Sequence, residues 1–239
     1  MSPLPAAAAL SLRGLSAGYG PTVIVEDVTL EMVLGSCLAV LGRNGVGKST
    51  LLRTIMGMTR VHAGGIAVGG RDLAAVPVYR RSRAGLGFVP QEREVFKALT
   101  VDENLRIAQR PGHWSVQTVC KLFPRLAERR DNMGSQLSGG EQQMLAIARA
   151  LVGNPTVLLM DEPSEGLAPV IVEQVFEALS RIRARRDMAI VLVEQHAALA
   201  LEFSERAVVM DRGRVVHEGP SQELRDDPER LGRIMGLSH

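Results

Sequence analysis

Three short strings in this sequence have residue types and spacings suited to handling phosphate. The first, Gly42-Arg43-Asn44-Gly45-Val46-Gly47-Lys48-Ser49-Thr50, fits the pattern G-x-x-x-x-G-K-[ST]. Its glycines let backbone N–H groups turn inward around phosphate oxygens. A helix starting at Lys48 adds its positive N-terminal end. In such a loop Lys48 reaches the β- and γ-phosphates of a nucleotide and the Ser49 hydroxyl holds Mg²⁺. The second string, Val157-Leu158-Leu159-Met160-Asp161-Glu162-Pro163, brings two carboxylates to the end of an apolar run. Ligands of α/β sheets bind at that end of a strand. Asp161 is placed to hold Mg²⁺, directly or through water, and Glu162 to polarise an attacking water as general base. Acidic residues after strands are common; it is the phosphate loop upstream that gives this pair its meaning. The third string is Leu137-Ser138-Gly139-Gly140-Glu141-Gln142-Gln143. Ser138 suits an N-cap, and the two glycines leave bare backbone before a helix, which makes a second anion site. One nucleotide has one γ-phosphate, so the second site suggests service to a neighbour's nucleotide.

These strings need particular elements to carry them. Residues 10–32 alternate apolar and polar positions around a turn at Gly18–Pro21, which reads as two or three antiparallel strands. The apolar run 37–41 suits a buried central strand ahead of the loop, with a helix from Lys48 to about Met58. Residues 62–90 read as another β-rich piece ending in Leu86-Gly87-Phe88-Val89. From about 100 to 152 helical signals dominate, with capping-box spacing at Thr100–Glu103 and Ser138–Glu141. Two more buried strands follow at 157–160 and 189–193, separated by a helix over about 169–185. Residues 207–217 read as a hairpin around Asp211-Arg212-Gly213, and the charged tail from about 220 as helical. Short apolar strands alternating with helices predict an α/β fold with a parallel sheet.

Composition narrows the class. The 239 residues suit one large domain, and 46% apolar content supports a sizeable core. A net charge of +2, from 28 basic and 26 acidic residues, gives no pull toward nucleic acid, and 3% aromatics leave little for base stacking. The basic cluster Arg181, Arg183, Arg185 and Arg186 reads as a solvated helix end. Cys37 and Cys120 form no metal-ligand pattern and read as small buried apolar residues of a reducing compartment. The Ala-rich opening lacks a preceding positive residue and is broken by Pro3 and Pro5, so it does not read as a signal peptide. No apolar stretch is long enough for a membrane span, and the chain reads as soluble, reaching a membrane only through a partner.

The string 137–143, placed between the phosphate loop and the acidic strand, resembles the signature motif of ABC ATPases, and the resemblance extends over essentially the whole chain. It implies a P-loop NTPase core over 1–90 and 153–239 with an antiparallel β part, and an inserted helical subdomain over 91–152, all one ABC domain. It also implies ATP and Mg²⁺ as ligands and a head-to-tail dimer in which Ser138, Gly139 and Gly140 close over the opposite subunit's ATP. Gln91 matches the glutamine of a loop that contacts Mg²⁺ and the attacking water and touches a transmembrane partner. His196, three residues past the strand 189–193, matches the histidine that senses the γ-phosphate. Tyr19 matches the aromatic that stacks on adenine. In many members the loop after the catalytic glutamate ends in aspartate; here Ala168 stands there, so communication between two sites need not follow the usual route.

The stretch Asp161-Glu162-Pro163-Ser164-Glu165-Gly166-Leu167-Ala168-Pro169 is similar to the ATPase subunits of branched-chain and hydrophobic amino-acid importers. Residues 91–96, 100–105 and 136–146 share that likeness, which points to the shorter of two sister ATPases. It implies a second ATPase subunit as partner, in a heterodimer or else a homodimer, with two transmembrane permeases and, indirectly, a solute-binding protein. The location implied is peripheral, on the cytoplasmic face of the cell's inner membrane. An ATPase for a urea or short-amide importer is the nearest alternative. An ABC ATPase acting on nucleic acid or ribosomes predicts a paired cassette, a coiled-coil insertion or a basic face, none of which this sequence has. A module binding ATP without hydrolysis predicts loss of Glu162 or His196, and both are present.

Overall fold

A computed structural model describes residues 8–236. The reading of the Ala-rich opening falls mostly on residues outside that range. Residues 10–32 form β1 (Leu10–Tyr19) and β2 (Thr22–Met32), joined at Gly20, whose φ of +56° provides the tight turn. β3 (Cys37–Leu41) is buried along its whole length. α1 (Lys48–Met56) follows the phosphate loop, and β4 (Arg60–Val68) and β5 (Arg71–Asp72) come next. The antiparallel sheet runs in the order β2-β1-β4-β5.

The expected β-rich stretch up to residue 90 also contains a short helix, α2 (Val78–Arg81), and a 3₁₀ turn at Ser82–Ala84 ahead of β6 (Leu86–Val89). Arg81 is the physical reason. Its guanidinium is buried and donates to the carbonyls of Thr54 and Ile55 at the end of α1, and to those of Leu73 and Val76. The last carbonyls of a helix lack intrahelical partners; this arginine supplies one to Ile55 from another segment and adds a second to Thr54, which also accepts the Gly57 N–H.

Between β6 and β7 (Val157–Asp161) lie α3 (Val101–Arg106), α4 (Val116–Leu122), α5 (Pro124–Glu128) and α6 (Gly139–Leu151). Capping boxes form at Thr100 and Ser138, as the spacing predicts, and another forms at Ser115. The chain continues through α7 (Pro169–Ala184), β8 (Ala189–Val193), α8 (Ala197–Phe203), β9 (Arg206–Asp211), β10 (Arg214–Pro220), α9 (Ser221–Asp226) and α10 (Pro228–Ile234). The second sheet has the order β10-β9-β3-β8-β7-β6, parallel except for the β9–β10 hairpin.

Alternation along the buried strands divides the core in two. Leu38 and Val40 of β3, Leu159 of β7 and Val191 of β8 pack toward the antiparallel sheet and α1. Ala39, Leu158, Met160 and Leu192 pack toward the helices on the other side. A sheet covered on both faces reads as continuous apolar runs, which is why these strands were legible. Cys37 is buried, and burial pushes its thiol up to about 12; Cys120 is only half-buried. The arginines at the end of α7 are tied up, Arg181 with Glu177 and Arg185 with Asp187, and Arg183 donates to the Phe203 carbonyl. Among the described residues no helix is long and apolar enough to cross a membrane.

Candidate functional site

β8 lies between β3 and β7, and Val193 pairs with both Val40 and Asp161. Three strand ends therefore open on one edge. The phosphate loop leaves β3, the acidic pair ends β7, and residues 194–196 leave β8.

The loop's shape depends on glycine. Gly42 has φ +145°, and a Cβ there would lie 2.4 Å from the Met210 carbonyl oxygen. Gly47 has φ +110° and caps α1. Lys48 is 4% exposed; its Nζ donates to the carbonyls of Gly42 at 2.9 Å and Arg43 at 3.1 Å and stands 3.8 Å from Glu162 Oε1. Burial pulls the ammonium's pKa down, while Glu162 and Asp161 push it back up.

Ser49 Oγ donates to Asp161 Oδ1 at 3.0 Å, while Asp161 Oδ2 is buried without a partner. Burial pushes the Asp161 carboxyl up to about 6; the Ser49 hydrogen bond opposes this and the Glu162 charge adds to it. A buried carboxylate with an unpaired oxygen is costly unless something compensates it. A hydroxyl beside a free carboxylate oxygen is the oxygen donor set that Mg²⁺ takes, so the residues fit the ion.

Glu162 follows in a left-handed conformation, φ +48°, with its N–H bonded to the Val193 carbonyl at 2.9 Å. Its Oε2 accepts from Gln195 Nε2 at 2.6 Å and from Gln91 Nε2 at 3.4 Å. Gln91 also donates to the Glu165 carboxylate, and Arg93 donates to the Glu165 carbonyl at 3.2 Å. The result is a cleft of about 300 Å³, lined by residues 44–45 and 47–50 of the loop together with Gln91, Glu162, Glu165 and Gln195. The glycine-rich loop, Lys48 and the start of α1 face Glu162 across it, with the buried Asp161 behind Ser49. Such a cleft suits a polyphosphate and attack on its terminal phosphorus.

The other residues singled out in the sequence lie elsewhere. Val46 turns away from the cleft lining, and its carbonyl accepts from the Gly213 N–H at 2.9 Å. Tyr19 ends β1, 47% exposed and outside the lining. Ser138, Gly139 and Gly140 start α6 apart from the cleft; Ser138 Oγ accepts the Glu141 N–H at 3.3 Å, and Glu141 accepts the Ser138 N–H at 2.8 Å. His196 occupies the N-cap position of α8, exposed, and does not line the cleft. Ala168 occupies the N-cap position of α7 with no side-chain cap. Gln195, Glu165 and Arg93 join the site without having been expected. Two signals were available: Gln195 lies just past a strand end, and Glu165 three residues after Glu162.

A family model described as "ABC transporter" matches residues 25–165. The high-affinity branched-chain amino acid transport ATP-binding protein BraG of Pseudomonas aeruginosa is 41% identical, over 95% of this chain and 99% of that one. The probable branched-chain amino acid transport ATP-binding protein LivF of Archaeoglobus fulgidus is 37% identical, over 93% and 97%. The lipopolysaccharide export system ATP-binding protein LptB of Haemophilus influenzae is 30% identical, over 94% and 95%. Among solved structures, an ATP-binding subunit of an ABC transporter superposes with a TM-score of 0.79 at 28% identity, covering 96% of this chain and 95% of that one.

Proposed function

The chain belongs to the ABC transporter family, whose ATP-binding subunits hydrolyse ATP to drive transport, and on that premise we propose that its ATP chemistry runs in the cleft between the phosphate loop and Glu162. Loop N–H groups and Lys48 hold the phosphates, with Lys48 leaving its carbonyl partners for the terminal oxygens. Ser49 and Asp161, with Gln91, are the residues that would hold Mg²⁺. When bound, the ion neutralises charge on the phosphates. Glu162 takes the proton of the attacking water. The observation that carries this reading is the placement of Glu162: a nearly buried carboxylate held by Gln195 and Gln91, facing Lys48.

Ser138, Gly139 and Gly140 have no place in the cleft of their own chain. They are available to close over ATP held by a second ATPase subunit, a sister chain or a copy. Tyr19, exposed at the end of β1, is the aromatic we assign to adenine. Movement of the Gln91 segment on closure is the step that would reach two transmembrane permeases, at the cytoplasmic face of the inner membrane. The solute we assign is a branched-chain or hydrophobic amino acid, delivered by a solute-binding protein. The relatives that carry that name support this choice: they are more similar than the export-system relative, over nearly the full length of both chains.

The test is Glu162→Gln. It keeps shape and removes the base, so ATP binding persists while turnover falls by about 100-fold or more. Near-wild-type turnover by this variant refutes the assignment. For the solute, uptake of labelled leucine by the assembled transporter in vesicles is expected to require ATP; transport of urea but not leucine favours the alternative importer.

A further inference from the structure

We infer that Gln195 is a positioning residue for hydrolysis, its amide N–H holding the Glu162 carboxylate toward the cleft, an assignment that rests on the reading of Glu162 as the base. The chain leaving β8 runs directly over the phosphate loop and the acidic pair, because β8 lies between β3 and β7. Side chains alternate along extended backbone. Glu194 turns inward and is 2% exposed. Its Oε1 accepts the Ser164 N–H at 3.0 Å and its Oε2 accepts the Gln195 N–H at 3.2 Å. This clamp fixes the start of the segment, and Gln195 then faces the opposite way, into the cleft. Its Nε2 stands 2.6 Å from Glu162 Oε2, closer than Gln91 Nε2 at 3.4 Å or Lys48 Nζ at 3.8 Å from the other oxygen. The backbone of Glu162 is tied to the same strand end through the Val193 carbonyl at 2.9 Å. Main chain and carboxylate of the base are thus both anchored on the tip of β8. His196, one residue further on, is exposed at the start of α8 and outside the cleft lining.

The chemistry follows from the amide. A base must keep its charge and present an oxygen in a fixed direction. A neutral N–H donor on Oε2 sets the direction without neutralising the carboxylate, as a second ammonium would. Gln195 moves no proton. It narrows the orientations of the group that does, so its loss is read in turnover and not in nucleotide affinity.

The experiment measures steady-state ATP turnover and ATP affinity for the full-length chain, in the assembly that gives wild-type turnover, with Q195A, Q195E and Q195H. Q195A is expected to lower kcat by about 10- to 100-fold while ATP affinity and KM stay within about 2-fold. Q195E has the same size but no N–H to donate, and falls at least as far, which separates donation from packing. Q195H restores a donor and recovers turnover to within about 10-fold of wild type. The proposal is overturned if Q195A and Q195E turn over normally, or if Q195A loses ATP affinity together with kcat. A wild-type chain that hydrolyses no ATP in any assembly would instead sink the reading of the cleft on which the proposal rests.

Discussion

Asp161 makes the metal-free chain less stable at neutral pH than its core would allow, and Asp161→Asn exposes that cost. The carboxyl is fully buried, one oxygen lacks a partner, and its pKa rises from 3.8 to about 6. Between those values the folded chain binds more protons than the unfolded one, so stability falls as pH rises through the window. The protonated form's advantage is fully present below 3.8 and gone above about 6. A shift of about 2 units at about 1.36 kcal/mol each is worth about 3 kcal/mol over the whole range. Part of it is already lost at pH 4.5, leaving about 2 kcal/mol between pH 4.5 and 7.5. Asparagine keeps an acceptor for Ser49 but cannot ionise. Its own buried amide carries a cost that does not vary with pH, so the comparison lies in the slopes. Urea unfolding with EDTA, at both pH values and for both proteins, should show the wild type losing about 2 kcal/mol relative to Asp161→Asn on going to pH 7.5. Groups distant from Asp161 contribute equally in both chains and cancel. Parallel pH dependences would refute the claim that this carboxyl is strained by burial, and with it the argument that its free oxygen is a cation's place.

Two further outcomes follow from the helix starts. Ser138→Arg places a bulky cation at an exposed position away from the cleft, so ATP affinity should stay within about 2-fold while turnover in the dimer is abolished and the fold loses only about 1 kcal/mol of capping; a fully active monomer in sizing experiments with ATP would contradict the shared site. Ala168→Asp supplies α7 with the side-chain cap it lacks, and thermal or urea unfolding should show about 1 kcal/mol of added stability; no gain would mean that the N-terminal N–H groups of α7 are already satisfied.

What was legible in the sequence is what local pattern determines. β3, β7 and β8 are unbroken apolar runs because both faces of their sheet are covered, and the capping boxes at Thr100 and Ser138 are spelled out within four residues. The phosphate loop announces itself through its glycines. The rest depends on segments distant along the chain. α2 exists where Arg81 reaches back to the end of α1, a contact that no local periodicity encodes. The meeting of Gln91 with Glu165 and of Gln195 with Glu162 follows from the strand order, since β8 comes late in the chain yet lies between β3 and β7. Family likeness points to His196 by residue type, and the structure puts it at the exposed start of α8. The clamp on Glu194, visible only in three dimensions, is what turns its neighbour Gln195 toward the base.

The cleft and the start of α6 are separate sites joined by touching residues. Gln91 bonds to Glu162 and to Glu165. Two residues on, Arg93 donates to the Glu165 carbonyl, and its Nη1 lies 3.1 Å from where a Cβ would stand on Gly139. At Gly140 a Cβ would stand 2.6 Å from Ile171 of α7, so α6 and α7 start in close contact, and α7 is the helix that the Glu162 loop feeds. Contact alone does not make coupling; an element with two arrangements does. Arg93 and Glu94 are the natural choice, since both hold left-handed backbone, at φ +64° and +45°, that side chains with a Cβ rarely adopt. Gln91 and Arg93 on one loop meet Glu165 on another, and the Arg93 side chain also reaches the glycine that starts α6. A change in the backbone at Arg93 and Glu94 on adding ATP, read by hydrogen exchange, is the outcome that would turn this contact into a coupling.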